Sequence, residues 1–185
     1  MNFNQSVFAS IHNLSGKNPL LDAAGVFLGQ YLPYFLILGF LLLVLTHAGL
    51  RRKAFFFGEA AIAVIVSRGI LTELIRHFYH HPRPFDALGF KSLIVESGTS
   101  FPSGHASWFF ALATTIWFYD KKISAWFFAG AIINGLGRIY SGVHWPLDVI
   151  GGAVVGILSG ILVHHVLKPS FKALFRPPLV AHNNS

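Results

Sequence analysis

Two uncharged apolar runs dominate the chain: Ala23 to Leu50 and Val149 to Leu167 contain no Asp, Glu, Lys or Arg. Each is long enough to cross a hydrocarbon core about 30 Å thick. The first span is placed at Asp22 to Ala48, with Pro33 inside it as a kink. A second, Ala54 to Phe78, is interrupted by Glu59, Arg68 and Glu73. Spans three, four and five are placed at Ser103 to Tyr119, Ile123 to Tyr140 and Pro146 to Leu167. Phe3, Val7, Phe8, Ile11 and Leu14 recur at near-helical spacing and predict a short amphipathic helix lying in the interface. The fold class expected is therefore all-α: a polytopic membrane helix bundle of five or six transmembrane helices, the count depending on whether residues 3–14 insert.

Composition agrees with this pattern, because 54% of the residues are hydrophobic and only 11% charged. A chain of 185 residues is expected to form a single domain, 1–185. The net charge of +7 sits in short basic clusters between apolar runs rather than along one polar face, which argues against nucleic acid. With no cysteine, disulfides, thiolate chemistry and Cys-ligated metal are excluded. The opening residues lack the basic start and apolar core of a cleaved signal peptide, so the mature chain is expected to begin at or near Met1. From Lys168 the tail is basic, Pro169, Pro177 and Pro178 should break any long helix, and the last residues are expected to be disordered.

Five spans distribute the basic residues unequally. One face collects Arg51, Arg52, Lys53, Lys121, Lys122, Lys168, Lys172 and Arg176, the other Lys17, Arg76, Arg83, Lys91 and Arg138. The richer face, with the C-terminus, is predicted to be cytoplasmic.

Three distant pieces then meet at the outer face: Arg76 and Arg83 in "RHFYHHPRP", Ser103, Gly104 and His105 in "PSGH", and Arg138, His144 and Asp148 in "GRIYSGVHWPLD". Guanidiniums offer permanently charged forks that suit a phosphate. Ser103 and Gly104 at a helix start add a hydroxyl, N–H groups and a favourable dipole. Binding alone needs neither histidine. An imidazole held by a carboxylate, as His144 by Asp148, is a nucleophile for phosphorus, and His105 is placed to protonate a leaving oxygen.

These residues resemble the three signature motifs of the type 2 phosphatidic acid phosphatase superfamily. The resemblance spans Arg76 to Asp148. It implies Arg76, Arg83, Arg138, Ser103 and Gly104 as phosphate ligands, His105 as general acid, His144 as the nucleophile that forms a phosphohistidine, and Asp148 as its partner, with no metal or other cofactor. Two positions depart from the family pattern: Arg76 stands where lysine is usual, and Gly137 where serine usually precedes the arginine.

Other charged and aromatic residues carry weaker expectations. Arg68 and Glu73 are read as a buried structural network with Glu59 as a further partner, or Glu73 as a residue that orients Arg76. His77, His80 and His81 lack acidic partners nearby in sequence, so a metal there is not expected. Trp108, Trp117, Trp126 and Trp145 are assigned to interfacial belts or lipid contact. The loop 86–100 is a candidate lid. The small chain looks most like the bacterial undecaprenyl-diphosphate phosphatase branch, which implies a lipid phosphate or diphosphate as substrate, a plasma (inner) membrane location and an extracytoplasmic site. Phosphatidylglycerophosphate or phosphatidic acid are the alternative substrates, and a non-catalytic lipid-phosphate binder or transporter the alternative class.

Overall fold

The computed structural model describes residues 3–46 and 49–174, all helix, turn or loop, with no strand among them. His47 and Ala48, and the tail with Arg176, Pro177 and Pro178 whose end was expected to be disordered, lie outside the described residues. The helices are α1 (Phe3–His12), α2 (Pro19–Thr46), α3 (Leu50–Phe78), α4 (Pro84–Leu88), α5 (Gly104–Trp117), α6 (Lys121–Tyr140) and α7 (Pro146–Leu174). Starts are chemically marked. Asn18 caps α2 through its side chain, with Pro19 in the first turn; Ser103 caps α5, and Asp120 accepts from Ile123 N–H at 2.9 Å to cap α6.

Among the described residues, α2, α3 and α7 are long and apolar enough to cross a membrane. Helix α5 differs. Its 14 residues reach only about 21 Å, and nearly all of them are buried, so α5 is the central post against which α3, α6 and α7 pack. Its Phe109, Phe110 and Ile116 meet Phe40, Phe56 and Phe127 of the surrounding helices in the core.

Glycines set how closely α7 approaches α5. A Cβ on Gly156 would lie 2.5 Å from the Ser107 carbonyl oxygen, and one on Gly160 would lie 2.8 Å from Thr114 Cβ; Gly152 abuts the Ser103 carbonyl in the same way. The spacing of four places all three on one face of α7, so backbone meets backbone, the usual route to tight helix pairing in lipid.

Both α2 and α3 contain a π-helical turn, at Phe27–Tyr31 and Ile65–Leu71. Pro33 has no N–H for the Gly29 carbonyl one turn earlier. Helix α6 supplies the missing donors: Asn134 Nδ2 reaches the oxygens of Leu28 and Gly29 at 2.8 and 3.1 Å, and Arg138 Nη1 reaches Gly29 at 3.3 Å. The expected kink is thus a π turn whose freed carbonyls hold α6.

Helix α1 packs against the chain reversal between α6 and α7. Phe8 joins Ile139 and Trp145 in a small buried cluster, His12 Nδ1 lies 2.8 Å from the Tyr140 carbonyl, and Asn4 Oδ1 accepts from Leu147 N–H. Two expectations are corrected here. Helix α7 continues through Pro169 as far as Leu174, because one proline removes a single N–H from the helix while the neighbouring hydrogen bonds remain. Trp145 is only 5% exposed and donates Nε1–H to the Pro82 carbonyl, so it braces a loop rather than facing lipid.

Because Gly156 has no room for a side chain, Gly156→Val is expected to cost about 1–3 kcal/mol through overpacking. The check is a thermal melt of the detergent-purified variant. Gly58, where an added methyl group would meet nothing within 4 Å, is the control, and Gly58→Ala should leave the melt unchanged or raise it.

Candidate active site

At one end of the bundle a cavity of about 440 Å³ is lined by Arg68, Arg76, Arg83, Gly104, His105, Arg138 and His144. Its lining also takes in Pro33, Tyr34 and Ile37 from α2 and Trp108 and Phe109 from α5. A cavity that combines guanidiniums with apolar and aromatic side chains suits an anion carried on a hydrocarbon chain.

Each arginine is held by a different part of the chain. Arg76, near the end of α3, donates from Nε and Nη2 to the Pro102 carbonyl at 3.3 and 3.0 Å. Arg83 donates to the carbonyls of Gly98, Val143 and Ser97 at 3.0, 2.8 and 3.1 Å, tying the loop before α5 to the turn before α7. Arg138 is 2% exposed and rests on the Gly29 carbonyl freed by Pro33. Its other terminal nitrogen bonds Glu96, which also lies 3.4 Å from Arg83.

His144 sits in the turn between α6 and α7. Gly142, with φ at +81°, allows that reversal, a backbone conformation that side-chain-bearing residues rarely adopt. His144 Nε2 faces Arg83 Nη1 at 3.4 Å. Its Nδ1 lies 3.5 Å from Asp148 Oδ2 and 3.4 Å from Ser100 Oγ, and Ser100 donates to that same Asp148 oxygen. Trp145 N–H also donates to Asp148 Oδ2, at 2.7 Å. Asp148 thus reaches His144 loosely and partly through Ser100. Burial, followed by the charges of Arg138 and Arg83, holds the His144 imidazole well below its ordinary pKa. It is therefore neutral near pH 7, the state in which a ring nitrogen keeps a lone pair.

The "PSGH" segment divides between two tasks. Gly104 and His105 line the cavity at the start of α5. Ser103 does not: its Oγ caps its own helix at Ala106 N–H, and its backbone N–H donates to the Asp148 carbonyl at 2.9 Å.

Comparison with known proteins decides the family. The PAP2 superfamily profile matches residues 57–172. The chain belongs to the PAP2 superfamily. It is 33% identical, over 94% of its length and 86% of the relative's, to the undecaprenyl-diphosphatase BcrC of Bacillus subtilis. It is also 33% identical, over 86% of its length and 78% of the relative's, to the bacitracin transport permease protein BcrC of Bacillus licheniformis. Its fold matches the crystal structure of Aquifex aeolicus LpxE with a TM-score of 0.72 and 28% identity, covering 89% of this chain and 96% of that one. This PAP2 chain is an integral membrane lipid phosphatase.

Within the PAP2 frame, the departure at position 137 has a packing cause. A Cβ on Gly137 would lie 2.5 Å from the Gly29 backbone nitrogen, so the usual serine has no space. The charge network also differs from expectation. Glu59 bonds Tyr119 and His164 Nδ1 rather than Arg68, whereas Glu73 holds both Arg68 and Arg76. His81 does have an acidic neighbour, Asp148, with Nδ1 3.6 Å from Oδ1.

Sequence reasoning missed Ser100 and Glu96, which lie in an irregular loop with no periodicity to mark them. Glu96 and Ser97 of this loop, 86–100, line the PAP2 cavity, and the loop is tethered by Leu93 N–H to the Ser141 carbonyl and Ser100 N–H to the His81 carbonyl. Burial alone would raise the Glu96 pKa, but Arg138 and Arg83 outweigh it and keep the group ionised. An ionised carboxylate on those guanidiniums competes with any anion for them. Glu96→Gln is expected to lower the inhibition constant of orthophosphate by roughly tenfold, measured in a turnover assay; a higher constant would show that Glu96 organises the arginines instead.

Proposed function

We propose that this enzyme removes the terminal phosphate of a polyprenyl diphosphate, undecaprenyl diphosphate foremost, to leave the monophosphate for reuse as a carrier lipid. One observation carries the reading: His144, His105 and the three motif arginines line one cavity together with Pro33, Ile37, Trp108 and Phe109. Likeness to the Bacillus subtilis undecaprenyl-diphosphatase over 94% of the chain supports the choice of lipid.

In this reading Arg76, Arg83 and Arg138 hold the equatorial oxygens of the terminal phosphate, assisted by N–H groups at the start of α5, among them that of Gly104. Ser103 contributes by capping that helix. His144 Nε2 attacks phosphorus in line, the bond to the bridging oxygen breaks, and its electron pair leaves on the lipid-side phosphate, which takes the proton of His105 and leaves that imidazole neutral. Asp148, with Ser100, keeps the proton on Nδ1 of His144 and stabilises the imidazolium that forms. Water deprotonated by His105 then attacks the phosphohistidine and releases phosphate. Glu73 positions Arg76.

The chain acts, on this reading, as one domain of five membrane helices, with α1 at the interface. The site lies on the extracytoplasmic side of the bacterial plasma membrane, and the basic C-terminal end lies in the cytoplasm, consistent with the excess of Lys and Arg at that end of the bundle.

Phosphate release by detergent-purified protein tests this, with EDTA present and undecaprenyl diphosphate, phosphatidylglycerophosphate and phosphatidic acid offered in parallel. Release should persist in EDTA, favour the diphosphate, and fall at least about a thousandfold in His144→Ala. Preference for phosphatidylglycerophosphate would reassign the substrate. No release from any lipid by folded protein would favour the binding or transport class.

A further inference from the structure

Arg68 belongs to none of the three motifs, yet it lines the same cavity as Arg76, Arg83 and Arg138. Its guanidinium lies against Gly104 so closely that a Cβ there would overlap its Nε, Cδ and Cζ atoms. The first N–H groups of α5 have no acceptor within the helix, so Arg68 and the helix start together present donors to one volume.

The local backbone accounts for this placement. In a regular α-helix, residues eight apart point about 80° away from each other. Arg68 falls within the π turn Ile65–Leu71, whose wider turn rotates it back toward the side of Arg76. Glu73 then takes both guanidiniums on one carboxylate oxygen, Oε1. Along α3, Arg68 lies about two turns further from the helix end than Arg76, and it shares the cavity lining with Pro33, Ile37 and Trp108. A lipid diphosphate placed with its terminal phosphate at His144 and its chain along those apolar side chains would bring its second phosphate toward Arg68.

We infer that Arg68 is the ligand of the second, lipid-side phosphate, and so the residue by which the site distinguishes a diphosphate from a monophosphate ester. This rests on the diphosphatase reading above. A guanidinium there also stabilises the charge that collects on the departing monophosphate when the bridging bond breaks, an effect a simple alkoxide leaving group cannot draw upon.

The test uses full-length protein in detergent with two substrates that share one lipid, farnesyl diphosphate and farnesyl monophosphate. In Arg68→Gln, kcat/KM should fall about thirtyfold or more on the diphosphate and less than about threefold on the monophosphate. Arg68→Lys should lie between the variant and wild type on the diphosphate. Equal loss on both substrates, or greater loss on the monophosphate, would overturn the Arg68 assignment while leaving the diphosphatase reading intact. Wild type that cleaves only the monophosphate would overturn both. Should Arg68→Gln fail to fold, inhibition of wild type still decides the matter: inorganic pyrophosphate should inhibit at least about tenfold more tightly than orthophosphate, with the gap narrowed in Arg68→Lys. Equal inhibition of wild type by the two anions would contradict the inference.

Discussion

The close approach of α5 and α7 is the constraint on which everything else depends. Gly152, Gly156 and Gly160 let the backbone of α7 rest on that of α5, and the Ser103 N–H to Asp148 carbonyl bond locks the two helix starts together. His105 and His144, distant in sequence, are thereby carried on adjoining helix starts. In lipid, where apolar burial gives little net drive between helices, such contact has to come from shape and hydrogen bonding. A larger residue at any of the three glycines would separate the halves of the site before it disturbed any catalytic group.

Charge is the second organising force. Four guanidiniums converge in one cavity, and two carboxylates, Glu73 and Glu96, are bonded to them. Without such partners, burying several like charges would cost several kcal/mol per ion. The two acids serve differently by position. Glu73 is fixed on the same helix as Arg68 and Arg76, whereas Glu96 rides on a loop and occupies the arginines that a phosphate would claim. The remaining donors of Arg83 are spent on the carbonyls of Ser97, Gly98 and Val143, so this arginine shapes the loop as well as the cavity.

Much of this is legible in the sequence, because charged residues stand out against an apolar background. Arg76, Arg83, His105, Arg138, His144 and Asp148 stand at the ends of hydrophobic runs, and one cavity or its immediate wall holds them all. What escapes a sequence reading is set by long-range geometry. Nothing in "SLIVESGTS" singles out Glu96 or Ser100, since their partners Arg138 and Asp148 lie more than forty residues away. The π turns leave no periodic trace, yet one frees the carbonyls that hold Asn134 and Arg138, and the other turns Arg68 toward the cavity. Pairing Arg68 with Glu59 follows from proximity in the chain; in the fold Glu59 faces Tyr119 and His164 at the far end of the bundle. Pro169 has the chemistry of a helix breaker, but α7 carries it inside the helix at the loss of one N–H donor.

The central claim is that His144 carries the phosphoryl group, and the most direct test is to trap it. Protein quenched in alkali during turnover of a lipid diphosphate labelled in its terminal phosphate, then digested and analysed by mass spectrometry, should show one phosphohistidine, at His144. That label should disappear in His144→Ala and accumulate when release is slowed in His105→Ala. Label on any other residue, or fast turnover with no covalent phosphate at any quench time, would contradict the account.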